Sequence, residues 1–165
     1  MKSMRTQGAV LTLVFVLLGV WRGGTDADVA IAQERKPVVV TRIFTGPDGL
    51  SHAEDIELTL NARGVADVLK ATGAEFSVRP PSDPNATAWH TGPSRQLVIT
   101  LSGSSEVEVA GGVHVSAGPG HINLIEDTTG KGHITRNFGP GDRIALTITL
   151  ADGVVVDGVR KARSQ

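Results

Sequence analysis

The stretch WHTGPSRQLVITLSGSSEVEVAGGVHVSAGPGHINLIEDTTGKGHITRN, residues 89–137, decides the fold. Its apolar residues recur at every second position in short runs, and glycine, aspartate or asparagine separates the runs. That is the pattern of half-buried strands joined by tight turns. The runs are Arg95 to Leu101, Glu106 to Val109, Val113 to Ser116, Ile122 to Ile125 and His133 to Asn137. Successive strand side chains point to opposite faces, so Gln96, Val98 and Thr100 share one face and Leu97, Ile99 and Leu101 the other. By the same parity His133, Thr135 and Asn137 share a face. If Gln96 points inward, three aliphatic side chains point outward. They then need cover from a second sheet, an N-terminal strand or a second subunit, which favours a homodimer.

Working outward, Val38 to Phe44, Asp55 to Leu60, Ala74 to Val78, Ile144 to Leu150 and Val154 to Val156 continue the alternation. Val65 to Ala71, between Gly64 and Gly73, is the one helical candidate. Pro80-Pro81-Ser82-Asp83-Pro84-Asn85 is a loop, Pro119-Gly120 and Pro140-Gly141 are tight turns, and Arg160 to Gln165 reads as a polar, frayed tail. So many short strands at this spacing predict an all-β fold, a double-sheet jelly roll or a closed β-barrel.

Two motifs within the deciding stretch give the barrel a precedent. His90, Gln96 and Gly103 are followed one hairpin later by Gly130, His133 and Asn137, a spacing that resembles the paired motifs of the cupin superfamily. The first motif, G-x5-H-x-H-x(3,4)-E-x6-G, is matched at His90 and Gly103, while Gly92 stands at the second histidine and Gln96 at the glutamate. The second, G-x5-P-x-G-x2-H-x3-N, is matched at Gly130, His133 and Asn137, with Ile122 and Thr128 at the leading glycine and the proline. The wider text, from Thr45-Gly46-Pro47-Asp48-Gly49 with Ser51-His52 to Glu126-Asp127-Thr128-Thr129-Gly130, is similar to small single-domain, RmlC-like cupins of uncharacterised function. The resemblance implies a jelly-roll barrel, or double-stranded β-helix, that often holds a metal ion.

Carried over position by position, the resemblance implies that His90, Gln96 and His133 hold one divalent ion, with zinc, manganese, iron or nickel compatible with imidazole and amide oxygen donors. Glutamine for glutamate and glycine for histidine lower the affinity expected of such a site. Asp127, six residues before His133, is the nearest carboxylate and the candidate for a further ligand, for fixing a histidine tautomer or for moving a proton. Trp89, Arg95 and His52 are candidates for substrate binding. Each has a plainer alternative: His90 and His133 satisfied by Gln96 and Asp127 without metal, Arg95 in a surface salt bridge, and Trp89 in the core. Gly130 and Gly132 read as turn formers rather than a phosphate cradle, because no helix follows. His114 and His121 have no partner at ligand spacing and read as surface residues.

The N-terminus carries Lys2 and Arg5, an uncharged apolar run from Gly8 to Trp21, and Ala30-Ile31-Ala32. This is the layout of a secretory signal peptide, residues 1–32, which leaves residues 33–165 as one domain in a secreted or periplasmic protein. The 16 basic and 17 acidic groups become 13 and 15 once Lys2, Arg5, Arg22, Asp26 and Asp28 are removed. A near-neutral domain without a basic run offers no electrostatic footprint for nucleic acid, and no membrane attachment is expected after cleavage. Cysteine is absent, which removes disulfides and a thiol nucleophile, and no G-x-S-x-G elbow suggests a serine hydrolase. What remains is a barrel pocket suited to a small molecule: either a metal-dependent isomerase, lyase or dioxygenase, or a non-catalytic binding or structural module without metal.

Overall fold

Alternating side chains give ten strands in a computed structural model that describes residues 36–82 and 88–163. In chain order they are β1 (Val39–Thr45), β2 (Ser51–Leu58), β3 (Ala71–Arg79), β4 (Gln96–Ser102) and β5 (Ser104–Val109). These are followed by β6 (Val113–Ala117), β7 (Ile122–Glu126), β8 (Ile134–Phe138), β9 (Arg143–Leu150) and β10 (Gly158–Ala162). They form a seven-stranded sheet in the order β10-β2-β1-β7-β4-β9-β3 and a three-stranded sheet in the order β6-β5-β8. The larger sheet is mixed, because β1 lies parallel to β7 with Ile43 opposite Ile125. The result is an almost all-β fold of the sandwich or jelly-roll type. The expected leader, residues 1–32, lies outside the described residues.

Strand parity sorts the core into two layers. Ile43, Val107, Val109, Val115 and Ile125 pack together between the sheets, with Val98 beside them. On the other face of the large sheet, Val40, Ile56, Leu124, Leu150 and Val156 form a second cluster, joined by Leu69, Leu97 and Val154. The outward aliphatic face of β4 thus receives part of its cover from the chain itself, through the segments before β3 and after β9. Ile43 is wholly buried. Truncating it (Ile43→Ala) is expected to cost about 2–5 kcal/mol, read as a lower denaturation midpoint at unchanged m-value.

The expected helix at Val65 to Ala71 is not formed. Residues 65–70 are irregular, and β3 begins at Ala71 opposite Leu150 of β9. A side-chain turn explains the change: Asn61 Oδ1 accepts hydrogen bonds from the Arg63 and Val65 amides, while Leu69 packs against the outer core. Val68 remains 92% exposed, so the segment has no apolar stripe to bury. The strand expected at Val154 to Val156 is likewise irregular, with Val156 buried.

The tenth strand instead lies at Gly158–Ala162, mostly within the tail expected to fray. It pairs antiparallel with β2 through charge complementarity, Arg160 to Glu54 at 2.6 Å and Lys161 to Glu57 at 2.5 Å. Glu54 also accepts from Arg42 at 2.9 Å. Burial alone would raise the Glu54 carboxyl, but the hydrogen bonds from Arg42 and Arg160 outweigh it and hold the carboxyl below its ordinary value. A depressed folded value means stability that is present above the unfolded pKa of about 4.3 and lost as pH falls through the folded value. Glu54→Gln is therefore expected to flatten the acid limb of stability below about pH 4.3, by at most about 1 kcal/mol for so accessible a cluster. Chemical denaturation at pH 3 and pH 6 measures it.

Candidate functional site

Where polar side chains replace aliphatic ones on the inward faces, a cavity of about 390 Å³ opens between the strands. From β4 it is lined by Gln96 and Val98, from β8 by Thr135 and Asn137, and from β9 by Arg143 and Thr147. Glu75, Ser77 and Arg79 of β3 form a further wall, and Ser105, Asn123 and Ile125 complete much of the rest. His90 and His133 line it too. The structure thus brings together all three side chains that the motif spacing grouped.

The two histidines are joined by their backbones before their rings meet. Each amide donates to the other's carbonyl at 2.9 Å, an isolated antiparallel bridge that ties the segment before β4 to the start of β8. Their rings lie 4.6 Å apart, tilted by 58°. Gly132 makes the approach possible. Its φ of +74° is a left-handed conformation, and a Cβ there would sit 2.1 Å from the His90 carbonyl oxygen. His133 is 4% exposed, and its Nδ1 lies 2.7 Å from Oδ2 of the fully buried Asp127. With Nδ1–H donating to that carboxylate, the ring presents Nε2 as its free nitrogen. The other carboxylate oxygen, Asp127 Oδ1, has no hydrogen-bond partner among the described residues.

The donor set is short for the ion that the motifs imply. Asp127 stands behind His133 and outside the cavity lining. The donors that the motifs imply are therefore two imidazoles and the Gln96 amide, and Glu75, a carboxylate that also lines the cavity, does not gather with the two histidines into a metal-holding group among the described residues. His90 Nδ1 is 3.3 Å from the Ala88 carbonyl, which leaves its other nitrogen. Among the described residues, no three histidine, aspartate or glutamate side chains converge as a metal site. Gly92, at the second histidine position of the motif, cannot be a latent ligand position, because even a Cβ would lie 2.6 Å from Ile125 Cγ2. These residues do not fit a tightly held divalent ion.

The remaining sequence candidates lie elsewhere. Arg95 is outside the cavity lining: its guanidinium donates to Glu126, with Nε at 2.5 Å from Oε1, and also to the Val154 carbonyl. This is the salt-bridge placement that strand parity allows, since Glu126 faces away from the cavity and also pairs with Arg42. Trp89 is half-buried and carries the Lys131 ammonium over its ring at 3.8 Å, a cation–π contact, and it does not line the cavity. His52, near the start of β2, is bound at 3.0 Å to Asp48 of the preceding turn, also away from the cavity. His114 is exposed and pairs with Glu106 at 2.8 Å. His121, expected at the surface, is instead partly buried, 3.1 Å from Asn123 Oδ1, and desolvation lowers its pKa.

Arg143, Arg79, Glu75 and Asn123 were not singled out by sequence. A usable signal was present for the first. In β9 the aliphatics Ile144, Leu146 and Ile148 occupy one parity, so Arg143, Ala145 and Thr147 must share the other face.

No protein-family model and no curated protein matches the chain. Among solved structures, a candidate mannose-6-phosphate isomerase from Ralstonia eutropha JMP134 is similar at 16% identity, covering 78% of this chain and 95% of that one, with a TM-score of 0.33. A likeness of that size is weak, and the functional reading rests on the cavity and its side chains.

Proposed function

We propose that this chain is an exported, cupin-like protein that binds a small molecule in its inter-sheet cavity, without a metal-dependent reaction. One observation carries the reading: the cavity is lined by polar groups, while among the described residues no three histidine, aspartate or glutamate side chains gather to hold a metal. A preformed cavity of about 390 Å³ with a few convergent polar side chains is of the size and kind that accepts a small organic ligand. The leader-like residues 1–32 support passage to the periplasm or the exterior. Among the described residues, no helix is long and apolar enough to cross a membrane. A homodimer belongs to the proposal through Phe76 and Val78, which are 73% and 59% exposed on the edge strand β3. A molar mass of one chain in light scattering would remove it.

The metal-dependent isomerase, lyase or dioxygenase has narrower support: the Asp127–His133 pair is an arrangement that also orients metal-bound histidines. Elemental analysis of the protein purified without chelator, with thermal melts before and after chelator, separates the readings. The expected result is substoichiometric metal and an unchanged melting temperature. Near-stoichiometric metal that is lost in both His90→Ala and His133→Ala would overturn the proposal in favour of the enzyme.

A further inference from the structure

At the end of the cavity away from the histidines, two arginines face each other with no acid between them among the described residues. Arg79 of β3 and Arg143 of β9 are direct register partners, and both line the cavity. Like charges directly opposite on one sheet face repel. Arg143 is 7% exposed, and its side-chain hydrogen bonds among the described residues run from Nε and Nη2 to the single Thr100 hydroxyl, at 3.2 and 2.9 Å. Among the described residues Nη1 has no partner, and no carboxylate of theirs pairs with either guanidinium. Glu75, the one acid of the lining among the described residues, lies four residues before Arg79, about 13 Å along an extended strand. Burial without an opposing carboxylate presses the Arg143 pKa downward. A buried, incompletely satisfied charge is costly unless something compensates it.

The same end holds two polar atoms that lack partners. Gly103 packs on the Arg143 backbone so closely that a Cβ would lie 2.8 Å from Arg143 Cα, and Ser105 follows two residues later. Ser105 is the register partner of Asn137, whose amide nitrogen reaches the Pro80 carbonyl next to Arg79 at 3.4 Å. Ser105 Oγ and Asn137 Oδ1 are buried, line the cavity and have no hydrogen-bond partner within the described residues.

We infer that this end of the cavity is an oxyanion-binding subsite, in which Arg143 and Arg79 hold a carboxylate or phosphate group of a hydroxylated small molecule. The guanidiniums supply planar, charge-assisted donors to the anion. Asn137 Oδ1 accepts from a ligand hydroxyl, and Ser105 Oγ donates or accepts beside it. The inference rests on the small-molecule-binding reading and gives its ligand a chemical class.

Titration calorimetry of the protein with malate, inorganic phosphate and the neutral polyol erythritol tests it. Malate or phosphate is expected to bind at least ten-fold more tightly than erythritol, and the stronger of the two anions identifies the oxyanion. Arg143→Met should weaken the anion at least ten-fold while the melting temperature holds or rises, because the substitution removes an uncompensated buried charge. Arg79→Ser, at an exposed position that poses little risk to folding, should weaken the same anion several-fold. Equal binding of erythritol, or unchanged anion binding in Arg79→Ser and Arg143→Met, would overturn the oxyanion subsite while leaving the small-molecule reading intact. Binding of none of the three probes would overturn the subsite, and a neutral-metabolite screen would then decide the broader reading separately.

Discussion

Gly132→Ala is expected to destabilise the protein by about 2–5 kcal/mol and to disorganise the histidine end of the cavity. A left-handed φ costs a residue with a Cβ about 1–2 kcal/mol. The added carbon would then meet the His90 carbonyl oxygen at 2.1 Å and the Thr91 amide nitrogen at 2.7 Å, both backbone atoms that a rotamer change cannot move. Relief requires the His90–His133 bridge to part, with overpacking costs of about 1–3 kcal/mol and the loss of two hydrogen bonds from that strand junction. Gly153→Ala provides the control. Its φ is +74° as well, but nothing lies within 4 Å of the new carbon, so only the conformational cost of about 1–2 kcal/mol applies. Urea denaturation of the two variants measures the difference. Equal midpoints would mean that the close approach contributes nothing.

His133→Leu is expected to cost about 3–5 kcal/mol at neutral pH, because it strands a fully buried Asp127 carboxylate whose other oxygen has no partner among the described residues. The motif spacing presents His133 as a ligand to an ion. Its 2.7 Å bond to an acid with no solvent access makes it a structural partner whatever else it does. The double variant Asp127→Leu/His133→Leu should recover most of the loss, since two apolar side chains replace a pair instead of breaking it. Three melts of the single and double variants supply the coupling energy. Additive losses would show that the two side chains do not act as a unit.

Much of the inner face was legible because the period of a strand leaves little choice. Once Gln96 is inward, Val98 and Thr100 follow, and His133 brings Thr135 and Asn137 with it. The cavity lining contains Gln96, Val98, His133, Thr135 and Asn137, and Thr100 is buried beneath Arg143. The motif spacing likewise grouped His90 with His133, although their backbone bridge could not be read from spacing. Other features depended on contacts far apart in the chain. Arg95 finds Glu126 31 residues away, and only the β4–β7 register brings them together. The last strand was hidden because Arg160 and Lys161 look like a solvated tail until the acids of β2 are laid beside them. The missing helix shows a local signal winning: Asn61 captures two backbone amides and diverts the segment into a turn. Arg143 and Arg79 escaped notice because the aliphatics on the opposite parity drew the strand assignment.

The parallel pairing of β1 with β7 also bears on how the protein reaches its native state. Thr41 meets Asn123 and Phe44 meets Glu126, so the middle of the large sheet waits for segments more than 80 residues apart to find one another. β2 in turn waits for β10, the last strand in the chain. Loop-closure entropy must be spent before these contacts return anything, which places such a topology among the slow folders, in milliseconds to seconds. During that interval the exposed edge of β3, with Phe76 and Val78, is the surface most open to pairing with another chain. Refolding yield should therefore fall as protein concentration rises, even though the finished molecule has no disulfide to form.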